Sequence, residues 1–277
     1  MIVATAQFPS AAWDIEANAA RTAGLIAEAA GRGAELVVFA ELGLTGYELE
    51  AIAADPERCV LAPDDPRLAP VRDACRAAGV AAAVNGPGRG PSGTADGMAI
   101  ATFVYGPDGA LLTRYDKHHL YGQENELFTP GPTAGGRFTY RGLKFALATC
   151  YDNAFPEVPE RAAADDCQVY LASSFHDSVE RTDEYAALAH NHGFNVLLAN
   201  GTGPRSGGVG CGHSGIWAAD GSGLARVTGE DGLALAEVGV AAGPLSGGSE
   251  GPLPESSEGP LPEGPETAGI SGGRVAG

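Results

Sequence analysis

Phe145-Ala146-Leu147-Ala148-Thr149-Cys150-Tyr151-Asp152 is an apolar run that stops at a cysteine, and Phe155-Pro156-Glu157 follows it. Proline disfavours helical conformation at the residue before it and can itself begin a helix. The stretch predicts a buried strand, a tight turn carrying Cys150, and a helix opening near Pro156. A thiol at such an elbow can face a pocket, and a nearby helix N-terminus favours its thiolate. A free cysteine is also often a small apolar core residue. The choice rests on whether other strand ends supply a base and a partner for an oxyanion.

On both sides of this stretch, strands and helices alternate. Residues 2–8 read as a buried strand, and Asp14 can cap a helix over residues 15–31, where Ala19, Ala23, Ile26 and Ala30 recur at helical spacing. Glu35-Leu36-Val37-Val38-Phe39-Ala40 is a second strand and ends at Glu41. A helix over 66–78, a strand over 80–84 and a Gly/Pro-rich loop over 86–97 come next. Residues 98–105 and 110–115 form a hairpin about Gly106-Pro107-Asp108-Gly109, and the second strand runs into Asp116-Lys117-His118-His119-Leu120. After Cys150 come a helix to about Ala164, a strand over 169–172, a helix over 179–193, a strand ending at Asn200, and a final hairpin pair over 214–240 turning at Asp220-Gly221. This alternation predicts an α/β layered fold, and the hairpins make its sheets mixed.

The pattern changes after about Pro244. Glu250-Gly251-Pro252-Leu253-Pro254-Glu255 recurs as Glu258-Gly259-Pro260-Leu261-Pro262-Glu263. Such a segment cannot bury a core, so residues 245–277 read as an acidic, Pro/Gly/Ser-rich disordered tail. The chain of 277 residues carries a net charge of −18, which disfavours nucleic acid and anionic membrane surfaces as partners. Five scattered cysteines, no basic leader and no long apolar run point to a cytoplasmic protein.

Glu41, Lys117 and Cys150 each follow an apolar strand, and functional groups of α/β folds gather at strand ends. The three types suit nucleophilic acyl chemistry. A thiol attacking a carbonyl needs a nearby base, and the tetrahedral oxygen needs positive charge or N–H donors. A buried carboxylate, its pKa raised, suits proton transfer near neutrality. A zinc site at His118-His119 or at His190 and His192 lacks ligands at structural spacing, so no metal and no cofactor are expected. The glycine-rich run 207–212 lacks the lysine and helix of a phosphate loop and reads as a flexible loop at a pocket rim.

Three motifs in order resemble the nitrilase superfamily of carbon–nitrogen hydrolases, over about residues 2–240. They are Phe39-Ala40-Glu41-Leu42-Gly43-Leu44-Thr45-Gly46-Tyr47; Tyr115-Asp116-Lys117-His118-His119-Leu120 with Phe128-Thr129-Pro130-Gly131; and Cys150-Tyr151-Asp152-Asn153-Ala154-Phe155-Pro156-Glu157. Asn200 and Gly212-His213-Ser214 resemble its C-terminal strand motifs. The family usually has proline where this chain has Ala40. The resemblance implies an α-β-β-α sandwich with two mixed sheets, here a hydrolase domain over 1–244. It implies Glu41 as general base, Cys150 as nucleophile, and Lys117 with the backbone N–H of Tyr151 as oxyanion partners. A second glutamate would orient Lys117, with Glu124 preferred over Glu126. It further implies a homodimer or higher homo-oligomer.

Nitrile-hydrolysing members usually have Cys-Trp-Glu, so Cys150-Tyr151-Asp152 resembles the amidase-like branch. The expected reaction is hydrolysis of a small linear amide through a cysteine thioester. The alternatives are an N-carbamoyl amino acid hydrolase, with Arg205 as a carboxylate anchor, a nitrilase, or a degenerate binding or scaffold member. Pocket walls are expected from residues 86–97, 121–127, 174–180 and 202–213.

Overall fold

The computed structural model describes residues 1–90, 97–132, 136–205 and 208–239, without the side chain of Arg205. The predicted tail, 245–277, lies outside the described residues.

The chain begins with β1 (Ile2–Gln7), α1 (Ile15–Gly31) and β2 (Leu36–Val38). Asp14 caps α1 as expected, its Oδ1 accepting from the N–H of Ala17 at 2.9 Å. Two short helices follow, α2 (Leu49–Ala54) and α3 (Pro56–Cys59), which the sequence reading did not foresee. Next come α4 (Ala69–Ala78), β3 (Ala81–Arg89), β4 (Met98–Tyr105), β5 (Leu111–Asp116) and the short α5 (Glu124–Leu127). The second half runs β6 (Arg137–Tyr140), β7 (Leu143–Thr149), a 3-10 turn Cys150–Ala154, α6 (Glu157–Ala164), β8 (Val169–Ser174), α7 (Val179–His192) and β9 (Asn195–Asn200). It closes with β10 (Thr202–Arg205), β11 (Gly208–Cys211), β12 (Gly215–Trp217), β13 (Gly223–Arg226) and β14 (Gly232–Glu237).

Two six-stranded sheets form, ordered β14-β1-β2-β3-β4-β5 and β13-β12-β9-β8-β7-β6. Each mixes parallel and antiparallel pairs, as β1–β2 and β1–β14 show in the first. Side-chain alternation builds the layers. In β7, Phe145 and Leu147 pack between the sheets against Val38, Ala83 and Val104, while Ala146 and Ala148 pack outward with residues of α6 and α7. In β3, Ala82 and Val84 face α1 and α4 instead. The result is the expected α-β-β-α sandwich with two mixed sheets. No helix among the described residues is long and apolar enough to cross a membrane.

Three local expectations are corrected. Residues 86–89 are not loop: β3 continues through Arg89, paired with β4 from Ala82↔Tyr105 to Arg89↔Met98. Pro87 is tolerated because β2 has already ended, its register stopping at Val38↔Ala83, and Leu61 bridges the open side through Pro87 O and its own carbonyl. Gly88 suits the crowding there, since a Cβ would lie 2.5 Å from the Cβ of Ala101. The final hairpin pair is split between sheets: β12 and β13 pair in the second, but β14 pairs with β1 in the first. The glycine-rich stretch is also not simply loop, because Gly208–Cys211 is β11, antiparallel to β10.

Candidate active site

Glu41 lies three residues beyond β2, Lys117 directly follows β5, and Cys150 directly follows β7. The first two strands belong to one sheet and the third to the other, so the site forms where strand ends of both sheets meet.

Each side chain is held by local backbone chemistry. Behind Glu41, Leu42 adopts a φ of 49°, and its N–H donates to Asn85 Oδ1 at 2.7 Å. Ser173 Oγ donates to the carbonyl of Phe39 at 2.8 Å, tying this turn to the other sheet. Lys117 is clamped on both sides: its N–H donates to Ile100 O at 2.8 Å, and its carbonyl accepts from the N–H of Gly131 at 2.8 Å. Only glycine fits at 131, because a Cβ would lie 2.1 Å from Asp116 O. This accounts physically for the glycine that ends the Phe128-Thr129-Pro130-Gly131 run.

Cys150 adopts a φ of 43°, a left-handed conformation costing on the order of 1–2 kcal/mol for an L-residue. Two neighbours hold it there. The buried carboxylate of Asp152 accepts from Tyr115 OH at 2.6 Å, Thr149 N at 3.0 Å and His119 N at 2.9 Å. Asn153 Nδ2 donates to the carbonyl of Cys150 at 2.9 Å and to Tyr185 OH at 3.1 Å, while its Oδ1 accepts from Tyr170 OH at 2.8 Å. Losing the Asp152 acceptor would strand two buried donors, Tyr115 OH and Thr149 N–H, at about 1–3 kcal/mol each, and a part-buried one at His119. Asp152, which suggested the reaction branch in sequence, therefore works inside the protein as a brace for the elbow.

The charged groups converge out of water. Lys117 Nζ donates to Glu41 Oε1 at 2.7 Å and to both Glu124 oxygens at 2.9 and 2.8 Å. Glu124 also accepts from Tyr47 OH at 2.5 Å and from Tyr121 N at 2.8 Å. Glu41, Lys117 and Glu124 are all fully buried, whereas Glu126 is exposed. One cation thus faces two carboxylates, a buried net charge of −1 when both are ionised.

That imbalance sets the proton affinities. Burial raises Glu41 to about 7, and Glu124's charge adds to the rise, while Lys117 and the Cys150 thiol oppose it. Burial alone would lower Lys117, but Glu41, Cys150 and Glu124 outweigh it and hold the ammonium charged. Among the described residues, Glu41 Oε2 is buried without a hydrogen-bond partner. Burial, and then the charge of Glu41, raise Cys150 well above an ordinary thiol, with Lys117 only partly compensating. Burial and the Glu41 charge thus oppose the thiolate that a helix N-terminus would favour, so attack by Cys150 calls for a base.

A cavity of about 440 Å³ opens over Cys150 and is lined on one side by Tyr47, Glu124, Phe175 and Tyr151. Its other wall is the face of α7 bearing Arg181, Glu184, Tyr185, Leu188 and His192, which the sequence reading missed. The stripe at 181, 184, 185, 188 and 192 has helical spacing, so the signal was present but indistinguishable from packing. Expected walls from 121–127 and 174–180 do contribute, through Tyr121, Glu124 and residues 175–177. Described residues of 86–97 and 202–213 do not line it. The Arg205 side chain falls outside the described residues. Cys211 pairs instead with Asn200, whose Nδ2 lies 3.4 Å from its sulfur. Among the described residues, no three His, Cys, Asp or Glu side chains cluster to hold a metal.

Residues 2–242 match the family described as carbon-nitrogen hydrolase. The chain belongs to that family. Among solved structures, it is similar to a mutant of the amidase from Nesterenkonia sp. AN1 carrying acrylamide added at its active-site cysteine. The TM-score is 0.77 at 27% identity, covering 86% of this chain and 93% of the amidase. A second mutant of that amidase, in complex with butyramide, gives a TM-score of 0.77 at 28% identity over 87% of this chain and 91% of that one. Among curated relatives, a nitrilase of Pyrococcus abyssi is 32% identical over 50% of this chain and 52% of its own length. Omega-amidase NIT2 of Bos taurus is 27% identical over 56% of each. The chain spans about half the length of the curated relatives it matches.

Proposed function

We propose that this hydrolase is an amidase, converting a small linear amide to the acid with release of ammonia or an amine. The observation that carries this reading is the buried Glu41 carboxylate, raised to about 7, bonded to Lys117 and near Cys150, whose thiol burial pushes up. A base with that affinity can take a proton and return it near neutrality.

In the proposed cycle, Cys150 Sγ attacks the amide carbon while Glu41 accepts the thiol proton. The developing oxyanion is stabilised by the Lys117 ammonium and the backbone N–H of Tyr151. The tetrahedral adduct collapses, the C–N bond breaks, and Glu41 returns the proton to the departing nitrogen. A thioester remains. Glu41 then takes a proton from water, whose oxygen attacks the thioester carbon, and the acid leaves as the proton returns to Cys150. Glu124 positions Lys117 through two hydrogen bonds, which hold the ammonium in place for the developing oxyanion.

Two considerations favour amides over nitriles: the Cys150-Tyr151-Asp152 sequence, and the likeness over most of both chains to an amidase whose mutant binds butyramide. Ammonia release from matched primary amides and nitriles tests this. Turnover of butyramide and its homologues is expected, with the matched nitriles at least about 100-fold slower. Ammonia from the nitriles alone would overturn the amidase reading.

A further inference from the structure

A ladder of rings ends at the cavity wall. His119 stacks on Phe155 with centroids 3.6 Å apart and planes at 9°. Phe155 meets Tyr151 edge to face at 5.2 Å and 85°, and Tyr151 meets Tyr121 at 5.1 Å and 64°. The ladder is rooted in the protein, because His119 is hydrogen-bonded through its N–H to buried Asp152, and its Nδ1 lies 3.1 Å from the same carboxylate. At the outer end it is bare: Tyr121 is 59% exposed and Tyr151 is 36% exposed. Both outer rings line the cavity that holds Cys150 and Glu124.

An exposed large aromatic is individually ordinary. Two in contact, braced by a ring ladder and lining the same cavity as Cys150, form an aromatic surface beside the thiol. Such surfaces bind flat apolar groups at little entropic cost, because the rings are already ordered. The cavity volume agrees. About 440 Å³ lies within the roughly 300–1,000 Å³ range of sites for drug-sized ligands, well beyond the needs of a two- to four-carbon amide.

We infer that Tyr121 and Tyr151 form an aromatic platform that selects amides carrying an aryl or arylalkyl group. This rests on the amidase reading above and adds the substrate class. The ring of Tyr121 supplies the contact, so the inference concerns its side chain, while its backbone N–H continues to serve Glu124.

The test compares kcat/KM for phenylacetamide and butyramide in the wild type, Tyr121→Ala and Tyr121→Phe. The wild type is expected to favour phenylacetamide. Tyr121→Ala should lower the phenylacetamide-to-butyramide ratio about ten-fold, chiefly through KM, as loss of an aromatic contact implies. Tyr121→Phe should restore the ratio, because it keeps the ring. Using the ratio cancels any general disturbance of the Glu124 network. Butyramide turnover with no preference for phenylacetamide, or a ratio unmoved in Tyr121→Ala, sinks the platform and leaves the amidase reading standing. No ammonia from either amide overturns both.

Discussion

Replacing Lys117 by methionine is expected to abolish turnover and to destabilise the protein by about 3–5 kcal/mol near neutral pH, the usual cost of stripping one partner from a buried ion pair. The ammonium is the sole cation hydrogen-bonded to Glu41 and Glu124 among the described contacts. Without it, both buried carboxylates lose their charge partner. Loss of an oxyanion donor alone costs on the order of 10²–10³ in kcat. The stability loss should depend on pH. Glu41 already titrates above its unfolded value, so protonation favours the folded state below about 4.5, and that gain disappears as pH rises through about 7. Removing Lys117 removes an influence that lowers Glu41, so the window widens upward. Melting temperatures of wild type and Lys117→Met should therefore lie closest near pH 5 and diverge by pH 8. Equal melting temperatures at pH 8 with substantial kcat would contradict the placement of this charge.

Glu41→Gln should act in the opposite sense on stability while also removing activity. The amide retains an oxygen for Lys117 but cannot take a proton, so kcat should fall by about 10²–10⁴. The acid limb of the wild-type kcat/KM profile, expected near pH 7, should vanish from the residual activity. At pH 8 the wild type buries two carboxylates against one ammonium, whereas the variant buries one of each. Its melting temperature should accordingly exceed that of the wild type at pH 8, and the difference should shrink towards pH 5, where Glu41 is protonated. A variant that keeps both its rate and an acid limb near 7 would show that some other group is the base.

The sequence revealed those parts of the site whose signal is local. Glu41, Lys117 and Cys150 each end an apolar run, and such an interruption is visible without knowing what lies across the fold. Glu124 came only from family resemblance, because a glutamate in a polar loop looks the same whether it is buried, as Glu124 is, or exposed, as Glu126 is. The supporting contacts were hidden because they join distant residues: Tyr47 reaches Glu124 across 77 positions, and Tyr115 reaches Asp152 across 37. The extension of β3 through Gly86, Pro87 and Gly88 was hidden for a different reason. Local propensity reads those residues as loop, and only the early end of β2 and the pairing with β4 make a strand of them. The α7 wall of the cavity shares its helical spacing with any amphipathic helix, so periodicity could not separate lining from packing.

The central claim is a thioester on Cys150. Acid quenching during butyramide turnover, followed by proteolysis and mass mapping of the cysteine peptides, reads it directly. A butyryl group should appear on Cys150 and on none of Cys59, Cys75, Cys167 or Cys211, and Cys150→Ala should show neither adduct nor ammonia while keeping the wild-type fold by circular dichroism. Ammonia released at the wild-type rate by Cys150→Ala, or a butyryl group carried by another cysteine, would contradict it.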